Sequence, residues 1–358
     1  MKSVYIHIPF CNNICTYCDF PKVLNNVNMV DEYLSSLENE IATKYNGEAV
    51  LTLYIGGGTP SCLNSSQLDK LIAIINQLNL VKIIEFTFEC NIDDISESLL
   101  NILKKIGVTR LSIGIQSFNN NKLSFLGRSV NFPDADIKIK LIRSLGFNNI
   151  NLDIMFGIPN EKLLDLKQDI NKILKLKPDH ISAYSLIIEP NTMIASQEPI
   201  NDELEYKMYQ YIEKKLKNNK YEHYEISSYS LNKKQSIHNL TYWSNEEYYG
   251  FGLGAHGYIE GFRYENTRSL TDYINKRYCL KENLLAKQEI MENEVMLGLR
   301  LIKGINLQNF YDKYNYNLQD VFPIKPLLKS KELLHRNGNV FINPKYIYVM
   351  NEILLKLI

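Results

Sequence analysis

The chain has no excess of charge of either sign: 40 Lys and Arg stand against 40 Asp and Glu. That balance removes the long-range field that draws proteins to nucleic acid or to anionic lipid. No apolar run approaches the roughly 18–20 residues that span a bilayer. The opening "MKSVYIHIPF" lacks the apolar core of about 7–15 residues of a secretory signal, so a cytoplasmic location is expected. Cysteine is scarce, six in 358 residues, too few for a disulfide-stapled fold. There is no second C-x2-C and no H-x3-H, so a structural zinc site lacks the other half of its ligands.

What is present suits a large core: 45% hydrophobic and 22% charged residues, in a length that suggests a barrel with a smaller appended domain. The many Tyr and Asn read as compositional drift. From residue 2 to about 190, short strands alternate with helices. Strands are expected at 3–9, 50–58, 83–90, 109–118, 150–159 and 180–188. Helices are expected at 29–45, 65–78, 96–106, 119–126, 133–145, 161–175 and 202–219. Strands rich in Ile, Val, Phe and Tyr that alternate with helices predict βαβ units and a parallel sheet buried on both faces, as a full or partial barrel or a doubly wound sheet. Several strands end in polar or glycine residues, among them Gly56-Gly57-Gly58-Thr59, Glu89, Gln116-Ser117, Asp153 and Ser182. In a parallel barrel these ends form the active face, and the cysteine loop opens onto it. Residues 221–284 read as a linker that carries "HNLTYW" (238–243). Residues 285–358 read as a helical domain with a small β-wing, its first helix running to about Gly304 and a hairpin over 339–350. No basic stripe marks a recognition helix there, so nucleic acid is not an expected partner.

Three of the six cysteines lie in "CNNICTYC", at Cys11, Cys15 and Cys18. Three thiolates on one loop can wrap one face of a [4Fe–4S] cluster and leave one iron free for another ligand. Cys62, Cys90 and Cys279 are scattered and read as small buried hydrophobes.

This loop resembles that of radical S-adenosylmethionine (SAM) enzymes, and "YIHIPFC…C.YCDF" is similar to their HemN/HemW group, which holds oxygen-independent coproporphyrinogen III oxidases and haem chaperones. The likeness continues through "GGGTPS" (56–61), "RLSIGIQSFNNNKLSFLGR" (110–128), "NLDIMFGIP" (151–159), "HISAYSLIIEPNT" (180–192), "YEIS" (224–227) and "HNLTYW". It implies a radical SAM partial (β/α)6 TIM-like barrel with a small C-terminal α+β domain. It implies SAM binding by Tyr5, Gly57, Gly58, Thr59, Glu89, Gln116, Arg128 and Asp153, with Ala183 leaving room for the ligand. Arg128 follows Gly127 and on sequence alone could equally cap a helix C-terminus.

Two departures from the oxidase pattern bear on function. The oxidases carry a fourth cysteine where this chain has Phe20, and they have a long segment ahead of the cysteine loop. Both differences resemble the haem-chaperone side of the group, as does the HNxxYW motif, which the resemblance links to haem. His238 would then be an axial ligand, with Asn239 beside it and Tyr242 and Trp243 as flat walls. The alternative is that His238 and Asn239 are hydrogen-bonded loop residues and Trp243 is core packing. The reading implied is a haem-binding chaperone with cluster and SAM, whose partners are haem, haem-acceptor proteins that could lie in a membrane, and a second copy of the chain. Decarboxylation of coproporphyrinogen III, or another radical SAM reaction, is the enzymatic alternative.

Overall fold

The asparagines have local work to do. In the computed structural model, which describes residues 1–358, the side chains of Asn26, Asn64, Asn119, Asn131, Asn201 and Asn306 each accept backbone N–H bonds at a helix start. Each such cap is worth about 1 kcal/mol, so these six asparagines have a structural role.

Six parallel strands follow one another across the sheet: β1 (Lys2–Ile8), β2 (Val50–Gly57), β3 (Glu85–Asn91), β4 (Arg110–Gln116), β5 (Ile150–Phe156) and β6 (His180–Ser185). The crossovers carry α1 (Val27–Lys44), α2 (Ser65–Ile75), α3 (Glu97–Lys105), α4 (Asn120–Phe125), α5 (Phe132–Ser144) and α6 (Leu163–Leu176), and α7 (Asp202–Asn218) follows β6. Six βα units with neighbours in chain order form the expected partial barrel. Its edges are not joined to each other. Beyond β6 lie β7 (Glu222–Glu225) and β8 (Ser228–Ser230), and outside β1 lie β9 (Tyr248–Phe251), β10 (His256–Ile259), β11 (Phe262–Asn266) and β12 (Cys279–Leu284). Residues 221–284, expected as a linker, are thus an extension of the sheet on both sides. Short strands bounded by Gly and Asn turns gave too little periodicity to be told from a loop.

Alternation along the strands sorts the two faces. Leu111, Ile113 and Ile115 of β4, like Phe86 and Phe88 of β3, join a core of 58 buried residues under the helices. Their neighbours face the lumen and are almost all polar: Ser3, Tyr5 and His7; Thr52 and Tyr54; Glu85, Thr87 and Glu89; Arg110 and Ser112; Asn151 and Asp153; His180 and Ser182. Helix α8 (Ile237–Trp243) closes the end of the lumen where the strands begin. His238 Nδ1 lies 2.8 Å from Thr52 Oγ1, and Thr241 Oγ1 lies 2.9 Å from Ser3 Oγ.

The C-terminal domain has its own core of 18 buried residues. Its first helix, Lys287–Gly298, stops earlier than expected. A Cβ on Gly298 would come within 2.8 Å of Ile305, and the chain beyond turns to bridge Leu301 to Glu225. The hairpin pairs Leu333–Arg336 with Asn339–Ile342. It does not extend to residue 350, because Pro344 opens a 3-10 turn instead. Cys279 is exposed on the edge strand β12 rather than buried as expected. No helix is long and apolar enough to cross a membrane.

Candidate cluster and cofactor site

The cysteine loop leaves β1 at Pro9 and is stitched to the neighbouring turns by backbone hydrogen bonds. Gly58 N–H donates to Ile8 O at 2.9 Å and Thr59 N–H to Phe10 O at 2.8 Å, so the glycine run lies directly against the start of the loop. Gly58 has no alternative: a Cβ there would sit 2.8 Å from Cys11 Sγ. Gly57 adopts a φ of 122° and packs so closely on His7 that a Cβ would meet its ring at 2.7 Å. On the far side, the Gly127 corner holds the loop: Thr16 N–H and hydroxyl donate to Leu126 O and Phe125 O at 3.2 and 2.7 Å, and the Asn13 amide to Gly127 O at 2.8 Å.

Three thiols therefore open onto the carboxyl ends of the strands. Cys11 is buried, and Cys15 and Cys18 are half-buried. Burial pushes the Cys11 and Cys18 thiols up, Thr59 partly offsetting this for Cys11 and Lys22 for Cys18. No group of three or more His, Cys, Asp or Glu is gathered tightly enough to hold a single ion. A polynuclear cluster does not need that, since each thiolate has only to reach its own iron. With a Cβ-free wall at Gly58 and the Arg128 guanidinium 3.6 Å from Cys15 Sγ, the donor set fits such a cluster.

The Arg128 side chain turns toward this site and away from its own helix. It donates to Asn91 Oδ1 and Gly114 O, both at 2.9 Å. Gln116 sits at a register break with a φ of 65°, which swings it off the strand. Glu89 is held by the Tyr54 hydroxyl at 2.6 Å and Gly57 N–H at 3.1 Å. Burial raises its pKa to about 7 in spite of both bonds. Asp153 is likewise raised by burial, against an Asn151 amide at 2.8 Å. The Tyr5 hydroxyl lies 2.9 Å from His7 Nδ1, and His7 Nε2 lies 2.8 Å from Pro21 O, which ties the end of the cysteine loop to β1. Ala183 is buried. Sequence reasoning missed His7, Tyr54 and Asn91, although alternation along their strands puts each on the lumen face.

The HNxxYW residues lie elsewhere, at the floor where the strands begin. His238 is fully buried with both ring nitrogens bonded, Nδ1 to Thr52 and Nε2 to the Tyr242 hydroxyl at 2.7 Å. Burial, with Arg110 nearby, holds its pKa at about 3, so the ring is neutral. Asn239 donates its backbone N–H to the Ser236 cap at 3.3 Å. Trp243 packs under Arg300, whose guanidinium is 5.7 Å from the ring centroid, and its indole N–H has no acceptor.

A model described as the radical SAM superfamily matches residues 5–173, and one described as the HemN C-terminal domain matches residues 285–345. Heme chaperone HemW of Bacillus subtilis is 40% identical over 354 residues, covering 94% of this chain and 93% of its own. The chain belongs to the HemW family. Heme chaperone HemW of Lactococcus lactis is 36% identical, with 99% of this chain and 97% of the relative covered. That of Escherichia coli is 36% identical, with 77% and 76% covered. Among solved structures, the coproporphyrinogen III oxidase HemN of Escherichia coli matches with a TM-score of 0.86 at 20% identity, over 99% of this chain and 89% of that one. At that identity the match speaks for the fold: this chain and that oxidase share a barrel and a C-terminal domain.

Proposed function

We propose that this HemW-family chain is a haem chaperone that carries a [4Fe–4S] cluster and SAM and passes haem to acceptor proteins. The observation that carries this over the oxidase reading is Phe20. It stands two residues past Cys18, 67% exposed at the rim of the site, where the oxidase pattern has a thiol.

Cys11, Cys15 and Cys18 would hold the cluster, which when bound supplies a Lewis-acidic iron and an electron. The chain's own groups account for the rest. Gly57 and Gly58 admit a ligand close to the backbone, and Thr59 sits beside Cys11. Glu89 in its ionised form, with Asp153 and Gln116, suits the ammonium and hydroxyls of SAM. Arg128 suits its carboxylate, and Tyr5 closes the side. For His238 to meet haem iron, Nε2 must release the Tyr242 hydroxyl, so haem binding at this residue requires α8 to shift from the floor. A neutral imidazole is the form that ligates iron.

Anaerobic titration of the reconstituted protein with haem tests the cargo. A Soret shift that His238→Ala abolishes is expected, and the absence of any shift refutes the haem site. Cys15→Ala should lose iron and sulfide, and retention of both refutes the ligand set.

A further inference from the structure

Most polar groups at the floor of the lumen satisfy one another; Ser230 Oγ and the Trp243 indole N–H at its margins, and Thr87 and Arg110 within it, do not. Ser3, Thr52 and His238 bond one another in a chain, Ser112 and His180 bond Asn151, and His180 also bonds the Tyr224 hydroxyl at 2.7 Å. Glu85 is taken up by the backbone N–H groups of Ile237 and His238. Of the unpaired groups, Thr87 has no exposure and no partner for Oγ1, and Arg110 is 2% exposed with no partner for Nε. They are direct register partners on β3 and β4, and alternation turns both into the lumen, since Phe86, Phe88 and Leu111 lie in the outer core.

A guanidinium cannot shed its proton, and a buried cation without a partner is costly. Burial here works against the Arg110 charge, but Glu85 and the surrounding Tyr54, Tyr224 and Asp153 outweigh it and keep the group cationic. The imidazoles beside it, His180 and His238, are held neutral by burial, so Arg110 is the one fixed cation at this depth. Its planar fork matches a carboxylate. The Thr87 hydroxyl, one strand spacing of about 4.8 Å away, supplies a further donor on the same face.

We propose that Thr87 and Arg110 form a carboxylate-binding pocket at the floor of the lumen, which receives one acidic arm of a ligand lodged in the barrel. That such an arm is a haem propionate rests on the chaperone reading. Recognition of the carboxylate itself does not.

The test uses the full-length, cluster-reconstituted protein under anaerobic conditions with three probes: haem, haem dimethyl ester and sodium propionate. The wild type should bind haem at least about ten-fold tighter than the ester, as expected for loss of one charge-assisted contact. The gap should close in Arg110→Met and narrow in Thr87→Val, while iron content and SAM binding are kept. Propionate should raise the melting temperature of the wild type but not of Arg110→Met. If acid and ester bind equally, or Arg110→Met keeps the gap, the haem arm of the proposal is overturned. If neither tetrapyrrole binds, the chaperone reading fails, and propionate decides the pocket: a melting shift absent from Arg110→Met supports it, and no shift overturns it. Should Arg110→Met not fold, a propionate response unchanged in Thr87→Val overturns the pocket.

Discussion

The Glu85 carboxylate receives the backbone N–H groups of Ile237 and His238 at 3.0 and 2.9 Å, and so pins the HNxxYW helix to the barrel floor. A strand residue caps a helix 152 positions further along the chain. Glu85→Ala should therefore unpair two N–H groups, at about 1–3 kcal/mol for each one buried. The expected result is a drop in stability by urea denaturation, with proteolytic nicking near residues 237–243 appearing first. An unchanged midpoint would contradict this attachment.

A second prediction concerns the buried Lys122. Its ammonium lies 2.6 Å from Glu161 and 2.9 Å from Asp169, with side chains at most 4% exposed. The three join the turn after β4, through Ser117 and Phe118, to the turn after β5, through Ile158. Lys122→Met leaves two carboxylates without their cation and should cost about 3–5 kcal/mol. Replacing all three residues by apolar groups should recover much of that loss, and chemical denaturation of both variants measures it.

Glu89 gives a pH signature. Its native pKa is raised by burial to about 7 from 4.5, so the native state holds this proton more tightly than the unfolded chain. Its contribution to stability is fully present below about pH 4.5 and is lost as pH rises through about 7. In SAM-free protein, wild type minus Glu89→Gln stability should fall across that window and be level above it. With SAM's ammonium on Glu89, as proposed above, the ionised carboxylate is the binding form, and SAM affinity should weaken as pH drops below about 7. Calorimetric titration at several pH values checks the second effect.

His238 runs the other way. Its native pKa is depressed to about 3 from 6.5, so its contribution is present above about pH 6.5 and is lost as pH falls toward 3. Wild type minus His238→Gln stability should shrink over that range. A difference independent of pH would mean that the ring is not buried as described.

The order of strands and helices through residue 218 was legible because short strands rich in Ile, Val, Phe and Tyr alternate regularly with helix-period stretches. The cysteine loop was legible because its density has no innocent explanation. Residues 221–284 were not, since four- and five-residue strands with exposed faces, such as Phe262–Asn266, look like loops. Arg110 and Thr87 were hidden for a related reason. A polar residue at every second position marks a strand, but only the curved sheet with α8 across its floor shows that the polar side is buried rather than wet. The HNxxYW motif was visible, whereas its seat on Glu85 depended on a contact across 152 residues.

The central claim is that this chain carries haem rather than making its precursor. Anaerobic incubation of the reconstituted protein with SAM, reductant, coproporphyrinogen III and haem, scored for porphyrin product and for bound haem, tests it most directly. The expected result is stoichiometric haem binding with coproporphyrinogen unchanged. Protoporphyrinogen formation without haem binding would contradict the claim.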